Sequence, residues 1–194
     1  MKETVGSFTA SRETLNRDLL TVQDELAHAG LWHARSRLLQ VETFWCALPQ
    51  WPPLAWGFFI HRCSQVSRWL GYQPGHIYIP AIVWNRRDLI NVLRHEYAHA
   101  VAHYYPKLIQ RSREFTRVFG GRYQRGTPNP GSTVDPSSYL SRYAATEPCE
   151  DFAETWMFYL RRKGKLPARA NLKIRRKWEF VRSVIEAIRL HQPS

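Results

Sequence analysis

His95, Glu96 and His99 stand together in Val92-Leu93-Arg94-His95-Glu96-Tyr97-Ala98-His99-Ala100-Val101-Ala102. On a helix, residues four apart share a face, so both imidazoles can reach one metal ion. Glu96 lies one residue round from His95 and is badly placed to ligate the same ion. It can instead act as general base towards a zinc-bound water. Val92, Leu93, Ala98, Val101 and Ala102 make the segment apolar, as a buried active-site helix would be. A third ligand must complete the site.

His103 follows His99 by another four residues, but it lies ~12 Å along the axis from His95 at the rise of a straight helix. Three such histidines cannot converge on one zinc. His103 reads better as a helix-end residue beside Tyr104-Tyr105-Pro106, favoured there by the helix dipole. Better candidates lie between Tyr139 and Glu154. Glu150 and Glu154 are four apart, on one face of a helix that also carries Ala153 and Met157. Carboxylates on an apolar face need a partner. A cation accounts for Glu150, and a hydrogen bond to the back of a ligating histidine accounts for Glu154. An acidic first helical turn is the plainer alternative, and Glu147 is the fallback ligand. Cys149 and Asp151 fall on other faces.

With Tyr143, these motifs resemble the gluzincin arrangement of anthrax lethal factor and Mlc titration factor A. The resemblance covers roughly residues 77–160. It implies that the first Glu of Glu150-Asp151-Phe152-Ala153-Glu154 is the third zinc ligand. Tyr143, seven residues earlier, would lie by the metal and donate a hydrogen bond to the oxyanion. The run Glu-Asp-Phe-Ala-Glu-Thr is also similar to uncharacterised bacterial zinc metallopeptidases. These 194 residues are far shorter than lethal factor, so its substrate is not expected to carry over. The fold implied is a single zincin-like α+β domain, mostly helical with a small sheet, over residues 1–194 with its core at about 76–163. The expected activity is hydrolysis of a protein or peptide substrate, by an endopeptidase with a Zn2+ cofactor.

The elements that must position these residues read as follows. Leu15, Leu19, Val22 and Leu26 mark a helix over 11–28. Further N-terminal helices are expected over 31–44 and 58–70, separated by Pro49-Gln50-Trp51-Pro52-Pro53. Residues 76–83 read as a strand, and Pro80 makes it an edge or bulged strand that could pair with an extended substrate. Helices follow from Asn85 or Asp88 to Tyr104 and from Ser112 to Phe119, the latter stopped by Gly120-Gly121. Residues 122–138, rich in Gly, Pro and Ser, read as a long loop and a candidate lid. Pro148 opens a helix to about Arg162, and a basic helix spans 173–190 with Ile174, Trp178, Val181, Ile185 and Ile188 on one stripe.

The 194 residues carry a net charge of +12, and residues 161–194 hold eleven Lys or Arg against two Glu. That basic end could meet nucleic acid, anionic lipid or an acidic partner, or simply form a solvated face. A nucleic-acid-associated protein with a structural zinc is therefore the competing reading, and a DNA-recruited protease like the SprT-like proteins is a hybrid. Those use a third histidine, and none lies between His103 and His191. Peptide deformylase needs a Gly-Cys-Leu context that Cys63 lacks. Three scattered cysteines make no disulfide framework or thiolate zinc knuckle, and no apolar run is long enough for a membrane span. A cytoplasmic protein is expected.

Overall fold

The computed structural model describes residues 11–46, 57–62, 65–69, 71–80, 86–129 and 135–190. Helix α1 (Arg12–His28) begins at Ser11, whose hydroxyl accepts from the Thr14 amide, and buries Leu15, Val22 and Leu26. Strands β1 (Thr43–Cys46), β2 (Phe58–Phe59) and β3 (Ile77–Pro80) form a sheet in the order β1-β3-β2, with short α2 (Gln65–Trp69) between β2 and β3. Helices α3 (Arg86–Tyr104), α4 (Arg113–Phe119), α5 (Pro148–Arg161) and α6 (Leu172–Leu190) complete an α+β fold. No helix among the described residues is long and apolar enough to cross a membrane.

Three expectations change. Residues 31–44 are not a helix: a 3-10 turn at Arg37–Gln40, capped by Ser36, leads into β1. Thr43, Phe44 and Trp45 are β-branched or aromatic, types that suit a pleated surface. Residues 58–70 split likewise, because Phe58 and Phe59 alternate between sheet faces and, of the described residues, 65–69 are helical. Pro49–Pro53 lies outside the described residues, as do 81–83 of the expected strand. Third, β3 is central. It pairs parallel with β1 (Phe44 opposite Tyr78) and antiparallel with β2 (Phe58 opposite Tyr78). Pro80 takes the last paired position among the described residues, opposite Cys46.

The sheet's inner face, with Ile77, Ile79 and Phe59, is buried in one core with Leu93, Tyr97, Val101, Phe152 and Trp156. Arg94, next to His95, forms a two-pronged ion pair with Glu25 of α1 at 2.7 and 2.5 Å, which fixes the rotation of α3. Residues 122–138 are tied down at both described ends. Tyr123 bonds to His99, while Ser137 and Ser138 bond Asp135, which also pairs with Lys173 of α6.

The basic α6 docks through the apolar stripe expected of it, and Lys173, Arg175, Arg176, Arg182 and Arg189 face solvent. Lys177 does not. Its ammonium is buried, 2.6 Å from Asp151 and 2.7 Å from the Ser138 carbonyl. Burial pushes Asp151 up to about 7 and Lys177 down, each opposed by the other's charge. Lys177→Met should therefore cost about 3–5 kcal/mol in urea unfolding, by stranding a buried carboxylate. Adding Asp151→Asn should recover much of that loss. Equal stability of Lys177→Met and the parent would dismiss the pair as a structural tie.

Candidate metal centre

Two helices supply the site. In α3 the spacing of His95 and His99 sends both rings to one side, and α5 packs across them with Glu150 and Glu154. Pro148 starts α5 where its missing N–H leaves nothing unpaired, so Glu150 falls in the first turn. His95 Nε2 lies 3.0 Å from Glu150 Oε2, His99 Nε2 lies 3.3 Å from the same oxygen, and the two Nε2 atoms are 3.2 Å apart. The structure thus brings together His95, His99 and Glu150, all buried.

The far sides of both rings are held. His95 Nδ1 is 3.0 Å from Glu154 Oε1, and because a carboxylate only accepts, the ring donates there. The neutral tautomer then carries its lone pair on Nε2. His99 Nδ1 is bonded to the Tyr123 hydroxyl at 2.6 Å, which leaves Nε2 to face the centre when that nitrogen donates. Three electron-pair donors meeting in a buried spot call for a cation. Their spacing is close to the about 3.4 Å edge of a tetrahedron with zinc-type bond lengths. The residues fit zinc.

Burial alone would lower the basicity of His95, yet its hydrogen bonds with Glu150 and Glu154 raise its pKa to about 10 in the metal-free protein. Burial would likewise raise Glu150, but the bonds from His95 and His99 hold it well below the usual carboxylate range. A proton on His95 Nε2 and a metal ion compete for the same position.

Glu96 is buried beside His95 with Oε2 unpartnered among the described residues. It lines a cavity of about 180 Å³ with Gly57, Asn91, Val92, His95, Tyr143 and Met157. Gly57 matters here, because a Cβ would stand 2.3 Å from Ile79 Cδ1 and 3.2 Å from Glu96 Cγ. A side chain there would have to push Ile79, Val92 and the Glu96 stem aside. Tyr143 is 50 % exposed, with its ring 5.6 Å from that of His95. Burial of its hydroxyl, then the Glu150 and Glu96 charges, raise its pKa, so it remains a neutral donor. A cavity of about 530 Å³ between α1, α5 and α6 shares no lining residue with this centre.

The remaining expectations sort by geometry. His103 is not in the cluster and packs on Tyr104, Phe59 and His61. Glu147 turns aside to accept from the Gly126 amide at 3.0 Å. Asp151 faces α6, as its spacing required. Cys149 does not point away: its sulfur is 3.3 Å from Glu147 Oε2 and 3.9 Å from Glu150 Oε1, because residues 123–126 fold over the start of α5. Tyr123, His61, Gly57 and Arg125 were missed. His61 stacks edge-on near His99 and Tyr123, and burial, with His99, Arg125 and His103, lowers its pKa to about 3. None of the four sits in a periodic pattern, and only the glycine hints at a tight approach.

Residues 81–186, more than half of the chain, match the family model described as "Putative zinc-binding metallo-peptidase". No curated protein matches the chain. No solved structure does either.

Proposed function

The chain belongs to this family of zinc-binding metallo-peptidases, and from that premise we propose that it hydrolyses peptide bonds of a protein substrate in the gluzincin manner. One observation carries the reading. Two histidine nitrogens and a carboxylate oxygen converge at 3.0–3.3 Å beside the buried Glu96, whose Oε2 has no partner among the described residues.

His95, His99 and Glu150 would hold the metal, with Glu154 and Tyr123 fixing the two rings from behind. Zinc in such a three-residue site supplies a Lewis acid and lowers the pKa of water towards ~7. Glu96 takes the proton from the attacking water and passes it to the leaving amine. Its Oε2 has no hydrogen-bond partner among the described residues, so none of those bonds has to break first. Tyr143 donates from its neutral hydroxyl to the carbonyl oxygen as negative charge grows there. Internal peptide bonds are the expected targets. The edge of β2 away from β3 is unpaired among the described residues and continues from Gly57 over Glu96, so it suits an extended chain better than central β3.

Zinc content by mass spectrometry, read with hydrolysis of unfolded casein, tests the proposal. About one zinc per chain, and activity that a chelator removes and zinc restores, is expected. Protein that stays zinc-free after metal-replete preparation ends it. Tyr143→Phe should lower kcat about 100-fold or more with zinc content unchanged. A loss confined to KM would assign Tyr143 to substrate packing instead.

A further inference from the structure

The centre has two unlike flanks. On the His95 side stand Tyr143 and the cavity lined by Val92 and Met157. On the His99 side lies the segment Tyr123–Gly126, pinned at three points. The Tyr123 hydroxyl bonds His99, the Gln124 carbonyl faces the Cys149 sulfur at 3.7 Å, and the Gly126 amide donates to Glu147. Arg125 is held between these anchors.

Arg125 is solvent-exposed, and no carboxylate among the described residues is in ion-pair contact with it. Of the carboxylates around it, Glu150 meets the two histidines and Glu147 meets Gly126 and Cys149, while Glu96, whose charge also reaches Arg125, makes no ion pair with it. The charge of Arg125 still reaches His61, Tyr123, Tyr143 and Glu150. A structural arginine would be expected to close on an anion of its own. This one is left exposed between Tyr123, bonded to His99, and Gly126, bonded to Glu147.

We propose that Arg125 binds a carboxylate of the substrate on the His99 flank, making the preferred substrate an acidic peptide. The inference rests on the peptidase reading and names the substrate class of the same site. A guanidinium matches a carboxylate through two parallel hydrogen bonds, and this fork sits on a loop already fixed by its neighbours. The chain's net charge of +12 would also steer an acidic peptide towards it. The carboxylate could be an Asp or Glu side chain or the peptide's own C-terminus, since the recognition chemistry is shared.

The test uses zinc-loaded Glu96→Gln protein, which keeps peptides intact, with Arg125 and with Arg125→Ala, Arg125→Lys and Arg125→Glu added. Fluorescein-labelled decapeptides of Ala, Gly and Ser carry Glu or Gln at each position in turn, with free or amidated C-termini. Anisotropy should show carboxylate peptides binding about tenfold or more tighter than neutral ones when Arg125 is present. That ratio should shrink with Lys, approach one with Ala and fall below one with Glu. Dependence on the Glu position identifies a side chain, and dependence on the free terminus identifies the C-terminal carboxylate. A ratio unchanged across the four proteins overturns the proposal, and so does absence of binding to every peptide. If binding follows Arg125 but the Glu96 protein cleaves neither these peptides nor unfolded casein, the peptidase reading has failed and carboxylate recognition stands.

Discussion

Glu150→Ala should purify with little zinc and no peptidase activity, while Glu147→Ala keeps about one zinc per chain. Glu150 Oε2 lies 3.0 and 3.3 Å from Nε2 of His95 and His99, the nitrogens proposed to hold the metal, and Glu147 touches neither. Losing one of three protein donors should cost more than the ~10–100-fold in affinity typical of an outer partner. Glu154→Gln tests that smaller scale, because the amide still meets His95 but without charge. Protons compete with the metal. With His95 raised to about 10, the metal-free ring holds its proton at neutral pH, so zinc uptake must displace it. Affinity should accordingly rise about tenfold per pH unit between pH 5 and 8 for one proton released. Zinc retained in Glu150→Ala and lost in Glu147→Ala would overturn the ligand set.

What was legible in the sequence was whatever lies within one helix. His95 with His99, and Glu150 with Glu154, are pairs whose common face follows from helical geometry alone. Their meeting across α3 and α5 needed an argument about buried carboxylates, and the two pairs do meet. The residues behind and beside the centre had no such signal. Tyr123 and Arg125 come from a loop, His61 follows β2, and Gly57 precedes it, so only the tertiary path brings them in. The small sheet was legible, but its partner strands β1 and β2 were hidden for a related reason. Strands of two to four residues give too few positions for a period of two to show against helical spacing. The parallel partner of β3 lies more than thirty residues upstream, so nothing local marked β3 as central. The charge of residues 161–194 was legible, but burial of Lys177 on Asp151 was not.

Glu96→Gln should lower kcat by about 10²–10⁴-fold with zinc content and KM little changed. The substitution keeps the shape of the side chain and removes only its ability to accept a proton. Glu96 is 4 % exposed, and its Oε2 has no partner among the described residues. A buried carboxylate oxygen left open costs stability, so a purely structural Glu96 is a poor explanation of the position. Gln should accordingly leave the melting temperature equal or raise it. That pairing of lost turnover with kept stability separates a base from a packing residue, whose replacement would lower both. Gly57 gives an independent check, since Gly57→Ala would force a methyl group against Ile79 and the Glu96 stem. Its effect on turnover should then follow Glu96's displacement, without loss of zinc from His95, His99 and Glu150. Turnover within a few-fold of the parent in Glu96→Gln would move the base elsewhere, and loss of zinc in that variant would make Glu96 a metal-holding residue.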